Sequence, residues 1–251
     1  MKILYDNIAM NSTITSFSEN PYYEWDTALN DTRLTRYGRT LGVDDEWLMF
    51  ESASAVDVDW VYISNHNITS GATVKIQGNA TDSWGSPSVD QAMSYDSTYD
   101  YWYYNFSSTE SYKYWRIYID DPTNTDGYIQ IAYVFIGEGL TMPGINPEVS
   151  VPYTSNAEVT KTPSGQAYGD RRVRLKGGGV TFPTITETQR QSMLDFFDYV
   201  DLTLPFLVLF WENDLDVEPP LYAQLTNSLE ITKNNQAGLT WTLTLEFEEV
   251  R

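Results

Sequence analysis

The sequence predicts a mainly β protein of two domains, the second carrying one α-helix. Three observations lead there. Apolar residues recur at every second position over most of the chain, the period of a strand with one buried face. Aromatic residues make up 15% of the 251 positions, and such side chains favour pleated, half-buried surfaces. The alternation then lapses between Gly137 and Tyr153, where Pro143, Pro147 and Pro152 stand with Gly139 and Gly144. Proline fixes φ, so this stretch reads as a semi-stiff linker. The domains are therefore expected at 1–140 and 153–251, joined by 141–152, with the division near residue 148.

Along the first domain, AVDVDWVYIS sets Val56, Val58, Trp60 and Tyr62 on one face against Asp57 and Asp59 on the other. GATVKIQG is a short strand with Val74 and Ile76 on one side and Gly71 and Gly78 at its ends. In YKYWRIYIDD, Trp115, Ile117 and Ile119 alternate with Tyr114, Arg116 and Tyr118, and DGYIQIAYVFIGEG groups Ile129, Ile131, Tyr133 and Phe135. Turn chemistry, SNHNITSG and DDPTNTDG, separates these runs.

The second domain differs. RRVRLKGGGVTF holds one strand and three glycines, Gly177, Gly178 and Gly179, read as a bulge or loop because no Lys-Ser/Thr follows as in a P-loop. Thr186 with Gln189 matches a capping box, Thr184 with Glu187 offers an alternative start, and Met193, Phe196, Phe197 and Val200 follow at spacings of three and four. That predicts a helix over about 186–201. Pro205 then opens PFLVLFW, apolar on both faces and so an interior strand. In the last run Trp241, Leu243, Leu245 and Phe247 point one way, and Thr242, Thr244, Glu246 and Glu248 the other. The domain reads as a β-sandwich or barrel with one helix.

The same residues argue against catalysis. No cysteine exists, which removes disulfides, thiolate nucleophiles and sulfur-ligated metals. His66 is the sole histidine, sits in SNHN, and has no G-x-S-x-G nucleophile elbow to serve. It is read as a turn histidine bonded to backbone. One histidine without cysteine does not fill a zinc site. Asp44, Asp45, Glu46, Asp120 and Asp121 lie beside turns, with nothing in the pattern to mark a buried acid. Asp120, Asp121, Asn124 and Asp126 offer oxygens that calcium could use, but without EF-hand spacing, and a plain turn is favoured. The expectation is a binding or assembly protein with no catalytic residues, no cofactor and no metal.

Charge narrows the partners. Fifteen basic and thirty-five acidic residues give a formal charge of −20, and residues 1–152 carry net −14 of it. Such a chain repels nucleic acid, so sequence-specific binding is not expected. No stretch approaches the roughly 20 apolar residues of a membrane span, and the first residues lack the apolar core of a signal peptide. The densest aromatic tract, SYDSTYDYWYYNF, nominates Tyr99, Tyr101, Trp102, Tyr103 and Tyr104 as ligand or partner contacts. As a strand the tract would send half of its rings to the core; as a loop it would form a platform for sugar or protein.

Two stretches carry a resemblance. HNITSGATVKIQG with YWRIYIDDPTNTDGYIQIAYVFIGEG resembles the discoidin-like, or galactose-binding-like, jelly roll over about residues 20–140. That implies an N-terminal jelly-roll sandwich, and many members bind glycans or lipid headgroups through loops at one end. AYGDRRVRLKGGGVTFPTITETQRQSMLDFFDYV, with Leu204, Pro205 and Phe206 leading into a strand, resembles the sandwich-plus-helix fold of tail-tube and distal-tail proteins of long-tailed bacteriophages. That second resemblance implies a structural role in a virion tail, assembled in the host cytoplasm. Its partners would be copies of itself in a ring, commonly a hexamer, other tail proteins, and host-surface glycans met by the jelly roll. The alternative is a carbohydrate-binding protein using loop aromatics of the N-terminal domain.

Overall fold

The computed structural model describes residues 1–142, 153–155, 157–170, 174–210, 219–233 and 240–250. The fold is mainly β. The chain divides into two compact units, one spanning Leu4–Gly139, the other combining Met1–Ile3 with the described parts of Leu140–Leu215 and Pro220–Val250. Of the expected linker, Thr141 lies in a strand and Met142 is buried, while 143–152 fall outside the described residues.

Strand β1 (Lys2–Leu4) opens the chain and belongs to the sheet of the second unit. The first unit then runs α1 (Ile8–Asn11), β2 (Thr13–Ser16), α2 (Trp25–Leu29), β3 (Gly38–Arg39), β4 (Glu46–His66), β5 (Thr73–Asn79), β6 (Val89–Ala92), β7 (Ser94–Asp96), β8 (Tyr101–Asp120) and β9 (Gln130–Gly137). Two strands dominate it. β4 is 21 residues long and β8 is 20, and they pair antiparallel almost throughout. Register shifts between Glu51 and Val56 and between Val58 and Trp60 bend the pair. The early half of β4 and late half of β8 pair with β2 and β5, with β6 beyond β5. The late half of β4 pairs with β9, which pairs with β3, while the early half of β8 pairs with β7. The two faces of a jelly-roll sandwich are thus made from the two halves of the same strands.

Between them lies the core, with Phe50, Ile63, Ile76, Trp115, Ile117 and Ile136 all at 0–1% exposure. Val74, Ile76, Trp115, Ile117 and Ile119 face inward, as the alternation predicts. Three expectations change. The single face expected of Val56, Val58, Trp60 and Tyr62 breaks at the register shift between Val58 and Trp60, so Val61 and Ile63, and Val134 and Ile136 in place of Tyr133 and Phe135, join the core. The aromatic tract is split among β7, the turn after it and the start of β8. Gly78 does not end its strand: it pairs with Trp115 and Val89, and a Cβ there would stand 2.8 Å from Trp115 Cζ3, so the ring occupies the space of the missing side chain.

The second unit continues with β10 (Gly139–Thr141), β11 (Tyr153–Ser155), β12 (Glu158–Lys161), β13 (Ala167–Asp170), β14 (Arg174–Ile185), α3 (Glu187–Val200), β15 (Phe206–Leu209), β16 (Leu221–Leu225), β17 (Glu230–Lys233) and β18 (Trp241–Glu249). Its sheet has the order β10-β1-β15-β16-β18-β14-β11, with β17 also paired to β18. In chain order the jelly roll is therefore an insertion between the adjacent strands β1 and β10. Gly177, Gly178 and Gly179 are neither bulge nor loop. They pair in regular register with Glu248, Phe247 and Glu246, and the irregularity falls later, between Phe182 and Ile185. Helix α3 starts with the expected reciprocal capping box of Thr186 and Gln189 and buries Met193, Phe196 and Val200. Phe196 meets Phe206 edge-on at 5.0 Å, which seats the helix against the strand that follows Pro205.

Candidate functional site

At one end of the jelly roll the 21-residue excursion between β2 and β3 folds over the sandwich. Its anchor is Trp25 on α2, 1% exposed. The Trp25 N–H donates to Glu19 Oε1 at 2.7 Å, and Glu24 at the N-cap makes no side-chain cap. Gly38 lies under the indole: a Cβ there would stand 2.1 Å from Trp25 Cε3. Only glycine lets the ring close onto β3.

Beside Trp25 the chain turns through Pro21, Tyr22 and Tyr23. Asn20 organises the turn, its carbonyl accepting the Tyr23 N–H at 2.9 Å and its Oδ1 the Tyr22 N–H at 3.0 Å. Arg39 on β3 then locks it. Its N–H donates to the Tyr23 carbonyl at 3.0 Å, and its guanidinium carbon lies 3.8 Å from the Tyr23 ring centroid and 4.7 Å from that of Tyr128. Arg39 Nε donates to Gln130 Oε1 at 2.7 Å, fixing the fork between the rings. Stacking of this kind is worth about 0.5–1 kcal/mol at a partly exposed site.

The surface so formed is an open cleft of about 520 Å3, lined by Tyr22, Tyr23, Tyr37, Glu24, Thr27 and Arg36 among others. Tyr22 is 89% exposed. Arg36 Nη1 donates to Asp31 Oδ2 at 2.9 Å, and Arg33 pairs with the same carboxylate, holding Asp31 well below the usual carboxylate range. Aromatic faces, hydroxyls, a carboxylate and a guanidinium thus share one concave surface. Such a combination is able to pack against an apolar ring face and to exchange hydrogen bonds with ligand hydroxyls.

A polar network adjoins Gln130, the hydrogen-bond partner of Arg39. Asn67 Oδ1 accepts the Gln130 N–H at 2.7 Å, while its Nδ2 donates to Asp126 Oδ2 and the Tyr128 carbonyl, both at 2.9 Å. Asp121, 0% exposed, accepts from the Thr69 N–H at 2.8 Å, Thr69 Oγ1 at 2.6 Å and Asn124 Nδ2 at 3.2 Å. The DDPTNTDG oxygens are therefore engaged by protein donors, and this loop is a hydrogen-bonded turn. Asp121 and Glu46 are the two buried acids among the five turn carboxylates, and nothing in their neighbourhoods in sequence marks them. Glu46, 2% exposed, accepts from Ser18 Oγ at 2.7 and 2.8 Å, and burial raises its carboxyl above the ordinary value.

His66 ends β4, and its side chain is fully buried. Nδ1 accepts the Ile68 N–H at 3.1 Å, the expected backbone bond, and burial pushes the imidazole below its ordinary pKa. Tyr95 nearby donates to Asp100 Oδ1 at 2.8 Å, which moves its phenol up to about 12.

The nominated aromatics separate by strand parity. Trp102 is 4% exposed and sits in the core, with Tyr104 packed against the same cluster. Tyr101, on the other face of β8, is 1% exposed and lies 5.2 Å from Tyr62 and 5.6 Å from Tyr103. Tyr103 is half-buried and stacks on Trp60. Tyr99, in the turn before β8, is 39% exposed. These rings do not form one platform, because a strand sends neighbours to opposite faces. The cleft uses other residues, and PYYEW with RYGR was the pattern that could have found them: exposed aromatics interleaved with arginine around Pro21 and Gly38.

No family model matches the sequence, and no curated protein matches it. Solved structures similar to this chain include carbohydrate-binding modules that align with about half of it. One is chitosan-binding module 1 from a chitosanase/glucanase of Paenibacillus sp. IK-5, at 20% identity over 53% of this chain and 100% of that one, with a TM-score of 0.40. Another is the family 32 CBM from C. perfringens NanJ in complex with galactose, at 14% identity over 52% and 96%, with a TM-score of 0.41. A third is a Streptococcus pneumoniae fucose binding module, at 13% identity over 53% and 95%, with a TM-score of 0.42.

Proposed function

We propose that the jelly-roll unit is a non-catalytic glycan-binding module whose ligand seats in the cleft between Tyr22, Tyr23, Tyr37 and Arg36. One observation carries the reading: Tyr23 is braced by Arg39 against Tyr128, so the cleft wall is pre-organised while Tyr22 stays 89% exposed above it. An aromatic held in place loses little freedom on binding, which favours a weak, polar ligand such as a sugar. A glycan array followed by titration calorimetry tests it. Tyr22→Ala and Arg36→Gln should each weaken the best hit about tenfold with the melting temperature unchanged. An array silent to the intact protein, or hits indifferent to both variants, rejects it.

A second reading concerns the other unit: assembly into the ring of a bacteriophage tail, with the jelly roll decorating it and the particle built in the host cytoplasm. The β12–β13 hairpin supports it. Apart from Thr162, every side chain described between Thr160 and Asp170 is exposed, including Tyr168 at 62%. A two-stranded hairpin burying so little is marginal by itself and gains from a neighbouring copy. Light scattering and electron microscopy of the full chain with its tail partners test this. A strict monomer that never enters tail particles rules it out.

A further inference from the structure

The outer face of the β2-β4-β8-β5-β6 half of the sandwich carries a second cluster, sharing no residue with the loop cleft. Arg116 on β8 lies at its centre. Its guanidinium carbon is 4.3 Å from the Trp84 ring centroid and 5.8 Å from that of Trp47. Phe17, 61% exposed, extends the row at 6.3 Å from Trp47. Trp84 is pinned by its Nε1 donating to Asp82 Oδ1 at 2.7 Å.

Arg116 spends only one donor. Nε gives a hydrogen bond to Gln77 Oε1 at 2.7 Å, and Gln77 Nε2 donates onward to Asp90 Oδ1 at 3.1 Å. Asp90 is also the ion-pair partner of Lys75, at 3.2 Å. Among the described residues both Nη groups of Arg116 make no hydrogen bond, and no carboxylate pairs with the guanidinium. A half-buried arginine bonded to a neutral amide, with four N–H groups unspent, is a fork set for a planar anion.

We infer that Arg116, flanked by Trp84 and Trp47, is a binding site for a carboxylated sugar, the carboxylate taking the arginine fork and the pyranose ring lying on indole. Phosphate or sulfate would use the fork without the rings, and a neutral sugar the rings without the fork. Asp82 keeps the patch close to neutral, so recognition comes from direct pairing and not from long-range attraction. This inference rests on reading the jelly roll as a glycan-binding unit, but on a site of its own.

Titration of the full chain with tetragalacturonate, tetramannuronate and sialyllactose tests it, with methyl-esterified tetragalacturonate as the uncharged control. At least one acidic probe should bind with a Kd below about 1 mM, and the ester about tenfold more weakly. Arg116→Lys keeps charge but loses the fork, and should cost about fivefold; Trp84→Ala should cost as much. Asp82→Asn should tighten binding, since it keeps the bond to Trp84 and removes a like charge. In a Tyr22→Ala background, which weakens the loop cleft, the acidic probe should still bind and should still lose about fivefold on Arg116→Lys, which separates the two sites. The inference is overturned if no acidic probe binds at about 10 mM, if the ester binds equally, or if Tyr22→Ala and not Arg116→Lys abolishes binding.

Discussion

Replacing Gly38 with alanine would drive a methyl carbon into the indole of Trp25, 2.1 Å from Cε3 and 2.6 Å from Cδ2 and Cζ3. Carbon contacts need about 3.5 Å or more. Trp25 is 1% exposed and belongs to α2, so its ring yields only if the helix lifts off β3. Overpacking of a closed site costs about 1–3 kcal/mol, and three ring atoms inside the contact distance put Gly38→Ala at the upper end. At about 3 °C per kcal/mol for a domain of this size, the jelly-roll transition should fall by about 10 °C. Any affinity of the proposed glycan cleft should fall with it, because α2 carries Thr27 into the cleft. Differential scanning calorimetry reads the transition, and a double-mutant cycle isolates the cause. Trp25→Leu alone opens a cavity and costs about 3 kcal/mol, yet in the Gly38→Ala background the smaller side chain makes room. The double variant should be about 2 kcal/mol more stable than the two losses added together. Additive losses, or a Gly38→Ala transition at the parent temperature, would refute the argument that the missing Cβ is what seats the indole.

Three further outcomes follow from buried polar groups. Asn7, 2% exposed, donates to the Val134 carbonyl at 2.7 Å and accepts the Ala9 and Ile136 N–H groups, both at 3.1 Å, so Asn7→Leu should cost about 3 kcal/mol in chemical denaturation and Asn7→Ser distinctly less. Asp121→Ala strands the Thr69 N–H and leaves Asn124 Nδ2 only its bond to the Asn67 carbonyl; a loss of about 2 kcal/mol is expected, and an unchanged denaturation midpoint would contradict it. His66 is depressed by burial, so the folded state takes a proton later than the unfolded chain as pH falls. Its contribution is whole above the unfolded value of about 6.5 and is lost as pH drops below that, levelling off only beneath the depressed folded value. Glu46 is raised by burial and acts oppositely, losing stability as pH climbs past about 4.5. The stability of the parent relative to His66→Gln should therefore decline from pH 7 to pH 5, and a flat difference would sink the assignment.

Local signals made some elements readable in advance. Helix α3 announced itself because its capping box and its Met193-Phe196-Val200 stripe lie within 15 residues and need no partner to be recognised. β5, the late half of β8, and β18 were equally plain, since one face of each is apolar and the other polar. The early half of β8 was not. Its aromatic residues alternate on both faces, so parity said that half turn inward but not which surroundings each would meet. β4 hid its length for the same reason: from Trp60 to Ile63 it is buried on both sides.

Composition, period and caps by themselves determined a mainly β chain, the long helix α3, most of the described strands, and the lack of thiol or histidine-pair chemistry. These depend on residues that are neighbours in sequence. Pairing between distant segments decided the remainder. A three-residue strand at the chain start carries no mark of its partners, yet β1 completes the sheet of the second unit beside β15 and β10. Arg39 needs Gln130, 91 positions away, to stand between Tyr23 and Tyr128. Arg116 meets Trp84 and Trp47 only because β4, β8 and the loop after β5 converge on one face. Sites assembled across such separations exist only once the strands are in register, and so the tertiary structure alone could disclose them.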